Sequence, residues 1–109
     1  VNLRRDIEKI LENAVYLHLK KYGYKVFIGQ LQNAEIDFVA ERDGQRAYIQ
    51  VCYLLQSDET IEREFGNLLK IKDNFQKIVV CMDDIATHGV YDGIKCIHIK
   101  DFLKSPADI

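Results

Sequence analysis

Asp43-Gly44 restricts the fold of this 109-residue chain more than any other feature. The dipeptide favours the positive φ angles of a two-residue hairpin turn. It lies between two stretches, residues 35–42 and 45–53, in which apolar and polar side chains alternate. A turn of this kind sets the register as well as the hairpin. If Arg42 faces Gln45, counting back places Asp37 opposite Gln50. Alternation then predicts that Ile36, Phe38 and Ala40 share an apolar, core-facing side with Ala47, Ile49 and Val51. The opposite side is expected to hold Glu35 and Asp37 with Tyr48, Gln50 and Cys52, bringing two carboxylates, a carboxamide and a thiol together.

The flanking sequence changes period around this hairpin. Residues 3–22 place Leu3, Ile7, Ile10, Leu11, Ala14, Val15 and Tyr22 on one helical arc, without Gly or Pro, and stop before Gly23. Residues 24–29 are rich in β-branched and aromatic side chains and read as a strand. Ser57 suits the N-cap of a second helix reaching about residue 72, with Asp58 and Glu59 in its first turn and Ile61, Phe65, Leu68, Leu69 and Ile71 as its apolar positions. Residues 77–82 and 94–99 are expected strands, 83–93 a polar loop and 101–104 a last helical turn. The predicted fold class is therefore α/β with a central mixed sheet, in the order helix, three-strand meander, helix, two strands, short helix. One domain over residues 1–104 and a tail over 105–109, which holds the single proline Pro106, account for the whole length.

Composition removes other classes. Apolar residues make up 48% and charged residues 29%, which excludes a disordered or collagen-like chain. The apolar runs are too short for a membrane span, so no membrane partner is expected. Three cysteines without a C-x-x-C pair fit a reducing, cytoplasmic setting. A zinc site built from them with His98 lacks ligand spacing. His98 alternates with Ile97 and Ile99 and is expected to face solvent, with His18 on a helix flank and His88 in the polar loop. The formal charge of −2 argues against binding nucleic acid chiefly by charge. The charge is uneven, however: residues 1–30 hold six bases, Lys20 and Lys21 among them, against three acids. Those two lysines are the candidate phosphate contacts. The chain starts with Val1, as a piece of a longer protein would.

Glu12 stands at helical spacing with Val15, Tyr16 and Leu19, on a half-buried edge of the first helix. If that helix crosses the polar side of the hairpin, Glu12 approaches Asp37. Converging carboxylate oxygens are what Mg²⁺ requires, and a metal so held can activate water for phosphodiester hydrolysis.

A helix carrying Glu, a strand acid, a short hairpin and a second strand at the (D/E)-x-K position resemble the PD-(D/E)XK nuclease pattern. More specifically, L-E-N-A-V-Y-L-H-L, K-K-Y-G-Y-K-V, A-E-I-D-F-V-A, Y-I-Q-V-C-Y and E-R-E-F-G-N-L-L-K-I-K-D-N-F resemble the C-terminal domain of prokaryotic AAA-type ATPases, over about residues 8–104. The resemblance implies a restriction-endonuclease-like fold and an upstream ATPase module, although no G-x-x-x-x-G-K-[ST] occurs in these residues. It assigns Glu12 as the helix acid and Asp37 as the strand acid, the two metal ligands if Mg²⁺ is bound. Gln50 then occupies the second acid's position and Cys52 the lysine's. A carboxamide is a weaker, neutral ligand, and a thiol of pKa about 8.5 cannot supply the cation that orients water and stabilises the transition state. A relocated cation, Arg63, Lys70 or Lys72, is the way activity could survive. The implied function is a catalytically impaired accessory or interaction domain of an ATPase that contacts DNA. The alternatives are a live Mg²⁺-dependent endonuclease, or a module that docks protein or a second copy of itself.

Overall fold

The computed structural model describes residues 2–32, 34–55, 57–84 and 90–104. His88 and the tail 105–109 lie outside the described residues. The chain runs α1 (Leu3–Lys21), β1 (Lys25–Leu31), β2 (Ala34–Arg42), β3 (Gln45–Val51), α2 (Asp58–Leu69), β4 (Gln76–Cys81), β5 (Val90–Tyr91), β6 (Ile94–His98) and α3 (Ile99–Lys104). The described strands form one mixed sheet in the order β1-β2-β3-β4-β6-β5. The meander β1-β2-β3 is antiparallel, and β3-β4-β6 is parallel. No helix among the described residues is long and apolar enough to cross a membrane.

Local chemistry explains the helix ends. The Asn2 side chain caps α1 by accepting from the Arg5 N–H at 3.1 Å. At the other end Gly23 adopts φ +85°, and the Gly23 and Tyr24 N–H groups return to the Lys20 and Leu19 carbonyls, each at 3.1 Å. That paired closure satisfies the last carbonyls and needs a residue without a Cβ. Ser57 caps α2 through Thr60 N–H, also at 3.1 Å, and the helix stops at Leu69, before the expected residue 72.

The sheet is packed on both sides. One apolar cluster joins Leu11, Val15 and Leu19 of α1 and Phe102 of α3 to Ala40, Ala47, Ile49 and Val51. The other joins Phe65 and Leu68 of α2 to Ile36, Tyr48, Val79 and the three cysteines Cys52, Cys81 and Cys96. Val15 and Leu19 are fully buried, each worth about 2 kcal/mol of apolar burial.

The turn-derived register holds from Arg42↔Gln45 to Phe38↔Ile49, with Asp43 and Gly44 at φ +53° and +79°. Beyond Phe38 it departs from expectation. Between Phe27↔Val39 and Gly29↔Ile36, the single residue Ile28 of β1 faces both Asp37 and Phe38 of β2. This one-residue bulge moves Ile36 out of the α1-facing cluster and into the α2-facing one. Glu35 is exposed, and its charge still acts on Asp37. Two further expectations are corrected. His98 is buried, with Nε2 3.2 Å from Asp84 and Nδ1 accepting from Lys100 N–H, because it lies in phase with buried Ile94 and Cys96 on one face of β6, while Lys95 on the other face is exposed. The expected loop 83–93 contains β5, closed onto β6 by Asp92-Gly93 at φ +52° and +84°, the same turn chemistry as Asp43-Gly44.

Gly29 and Gly66 make opposite predictions. A Cβ on Gly29 would come within 2.8 Å of Val39 Cγ2 and 2.9 Å of Ile36 Cβ, whereas one on Gly66, within α2, meets nothing inside 4 Å. Gly29→Ala should destabilise by about 1–3 kcal/mol and Gly66→Ala should stabilise by about 0.5–1 kcal/mol, both measured by urea unfolding. Equal effects of the two would contradict the packing around Gly29.

Candidate functional site

The bulge aims Asp37 at the end of β3. Its backbone N–H donates to Gln50 Oε1 at 2.8 Å, and its Oδ2 accepts from the Val51 N–H at 2.8 Å. These two bonds stand in where the β2–β3 backbone ladder stops. The first turns of α1 are tied to the chain just after β3. Glu8 Oε2 accepts from Tyr53 N–H at 3.2 Å, and Arg4 Nη2 donates to the Leu54 carbonyl at 3.2 Å. A cavity of about 400 Å³ results, lined by Glu8 and Glu12 from α1, Asp37 and Val51 from the sheet, Arg63 and Glu64 from α2, and Asn2, Arg4 and Arg5 at its rim. It lies beyond the carboxyl end of β3, where open α/β sheets place their ligand sites.

Glu12 and Asp37 therefore meet, as their spacing led one to expect. Burial raises the Glu12 pKa, and the Asp37 charge raises it further. Burial likewise raises Asp37, against the lowering by the Val51 N–H, with Glu8 and Glu35 adding repulsion. Of the candidate relocated cations, Arg63 lines the cavity, its Nε 3.4 Å from Glu64 Oε1. Lys70 caps the C-terminus of α2 and Lys72 Nζ donates to the Leu69 carbonyl, and neither reaches the cavity. Lys20 and Lys21 are exposed in the last turn of α1, roughly 12 Å or more along the helix from Glu12.

Gln50 and Cys52 take no part in the cavity wall. Gln50 is buried, its side-chain oxygen committed to the Asp37 N–H. Cys52 is fully buried in the α2-facing cluster beside Cys81 and Cys96, and hydrogen bonding to Cys81 together with burial pushes its thiol well up. A neutral thiol pointing into the core supplies no charge to the cavity.

Sequence reasoning missed Glu8 and Glu64. Glu8 shares a helix face with Glu12, four residues on. Glu64 lies with Thr60 and Leu68 on the buried face of α2, a register readable from the i, i+4, i+8 spacing. Burial raises its pKa to about 7, with the Asp37 charge adding and Arg63 opposing. Four acids thus face three arginines. Among the described residues, no three His, Cys, Asp or Glu side chains group closely enough to hold a metal ion. Mg²⁺ keeps several waters and takes one or two carboxylates, so Glu12 and Asp37 are the residues that would hold it.

A family model described as "Domain of unknown function (DUF4143)" matches residues 8–102. A protein of Haemophilus influenzae whose description is "Uncharacterized protein" is 37% identical over 93 residues. The match covers 85% of this chain and spans 22% of that relative's length.

Glu64 makes stability depend on pH. Folding raises its pKa from 4.5 to about 7, so its stabilising contribution is complete below pH 4.5 and is lost as pH rises through about 7. Glu64→Gln cannot ionise and escapes that loss. With a chelator present, the unfolding free energy of Glu64→Gln relative to the parent should increase between about pH 5 and about pH 8, by up to about 3 kcal/mol. A difference independent of pH in urea melts would show that Glu64 is not held in this way.

Proposed function

We propose that this chain, which belongs to the DUF4143 family, is a nuclease-like domain without catalytic competence that serves as an accessory interaction module. The observation that carries this reading is the fate of the two positions that depart from the PD-(D/E)XK pattern. Gln50 is consumed in a hydrogen bond to the Asp37 backbone, and Cys52 is fully buried in the core under α2, outside the cavity lining. Neither can be converted by a side-chain rotation into a ligand or a cation over the cavity. The retained acids, Glu12 and Asp37, have raised pKa values because they are buried near other acids. Without a cation between them, carboxylates so placed repel a phosphodiester.

The layered mixed sheet, with a helix acid and a bulged strand acid meeting at the end of the hairpin, supports a restriction-endonuclease-like fold. The setting supported by the resemblance is the C-terminal part of an AAA-type ATPase. The relative, of which this chain matches 22%, has ample length for such a module. The partner is then the ATPase portion of the same polypeptide, in a cytoplasmic setting. DNA contact falls to the exposed Lys20–Lys21 end of α1 rather than to the acidic cavity.

One observation favours a second reading. Arg63 and Glu64 bring a cation and a carboxylate from α2 to the same cavity as Glu12 and Asp37, the kind of relocation that would keep an Mg²⁺-dependent endonuclease alive. Incubation of the chain with supercoiled plasmid and Mg²⁺ or Mn²⁺ separates the two. No nicking is expected at high protein concentration. Cleavage that disappears in both Asp37→Ala and Arg63→Ala would overturn the impaired reading.

A further inference from the structure

The acidic cavity lies beyond the carboxyl end of β3, and the Asp43-Gly44 turn lies at the other end of the sheet. Bases collect beside that turn. Lys20 and Lys21 close α1, Lys25 opens β1, Arg42 closes β2 and Arg46 is the second residue of β3. Arg42 Nη1 donates to the Tyr22 carbonyl at 2.9 Å and so ties the end of α1 to the hairpin. Two acids lie among these five bases. Glu41 Oε2 is 2.6 Å from Arg46 Nη2, and Asp43 Oδ2 is 3.9 Å from Arg42 Nε. Five bases less two acids leave three positive charges, and nearby Asp73 and Lys77 cancel each other at 3.2 Å. A helix dipole explains basic residues in the last turn of α1. It does not explain Lys25 or Arg42, which stand on strands.

A cleft of about 460 Å³ opens at this place, lined by Lys25, Arg42, Arg46 and Phe75. Its wall is flat and aromatic as well as basic. Phe75 is 37% exposed, and the Arg46 guanidinium lies 5.4 Å from its ring centroid. Paired with Glu41, Arg46 adds a planar face to the wall rather than net charge. The Arg42 guanidinium lies over the Tyr24 ring at 4.3 Å, which fixes its plane. On the reading that DNA contact falls to the Lys20–Lys21 end of α1, we propose that the cleft beside it binds single-stranded nucleic acid.

A base lies on Phe75 and Arg46, and the flanking phosphates meet Lys25, Arg42 and the two lysines of α1. An exposed ring bordered by cations is how proteins hold an unpaired base whatever its identity. A base closed in a duplex has no face to offer the ring. An acidic peptide would satisfy the cations and leave the ring unused. The acids at the far end of the sheet repel the same strand, so charge orients the chain on it even though the total is −2.

Fluorescence anisotropy of the 109-residue chain with labelled oligo(dT), oligo(U) and a short duplex tests the cleft. Single strands should bind more tightly than the duplex, with a log–log salt slope of about −2 for about three phosphates. A preference for oligo(dT) or for oligo(U) names the sugar, and either supports the site. Lys25→Glu should weaken binding roughly tenfold, and Phe75→Ala roughly fivefold or more. Phe75→Tyr keeps the ring and should keep the affinity. Lys100→Glu, exposed in α3, should change nothing. Circular dichroism checks that each variant keeps its fold. A duplex bound as tightly as the single strands, poly-glutamate competing as well as an oligonucleotide, or affinity indifferent to Phe75→Ala would each overturn the cleft. If Lys20→Glu and Lys21→Glu weaken binding while Lys25→Glu and Phe75→Ala do not, the cleft fails and DNA contact at the end of α1 stands. A parent chain that retains no oligonucleotide at low salt would remove both.

Discussion

Where β2 and β3 cease to share backbone hydrogen bonds, Asp37 and Gln50 take over the ladder. The Asp37 N–H finds Gln50 Oε1, and the Val51 N–H finds Asp37 Oδ2, both at 2.8 Å. Buried backbone donors at the end of a strand pair have to be satisfied somewhere, and here side chains do it reciprocally. The rest of the molecule depends on that closure. It accommodates the bulge opposite Ile28, the bulge carries Ile36 to the α2 side, and β3 continues beyond it as the buried strand on which β4 docks in parallel.

The same closure determines the chemistry of the cavity. Asp37 is fixed by its bond to Val51 and cannot swing freely to a ligand. Around it, Glu8, Glu12 and Glu64 arrive from two helices, and Arg4, Arg5 and Arg63 follow. The cavity is an acidic floor under basic groups, in which the charges of Asp37 and Glu8 make Glu12 and Glu64 harder to ionise. A Glu at position 50 would have put one more charge into this crowd. A glutamine accepts from the Asp37 N–H without adding that charge. Cys52 belongs to a different environment altogether, a dry layer with Cys81 and Cys96 under α2, where a lysine would be a buried, unpaired charge.

Much of this was legible in the residues. Asp43-Gly44 gave the hairpin and five of its pairs, Gly23 marked the end of α1, Ser57 the start of α2, and the Glu12–Asp37 approach followed from helical spacing and strand alternation. Asp92-Gly93 carried the signal for the second hairpin, missed because the polar residues before it read as loop. Other features had no local signature. Alternation placed Ile36 on the wrong side, since a bulge depends on how β1 aligns against β2 and not on β2 alone. His98 was expected in solvent because its place in the alternation was read against Ile97 and Ile99, whereas it shares the buried face of Ile94 and Cys96. Arg63 could be separated from Lys70 and Lys72 only once α2 had an orientation over the sheet.

The sequence by itself determined the elements, the turn-set register, the α/β class and the pair of acids that meet, because turn chemistry, capping and periodicity act over a few residues. Only the tertiary structure decided that Gln50 would be spent on the backbone, that Cys52 would face the core, and that Glu8 and Glu64 would join Glu12 and Asp37. It also left β1 paired with β2 alone among the described strands. Those outcomes rest on which side of the sheet each helix covers and where one extra residue enters a strand, and both are settled by contacts between segments far apart in the chain.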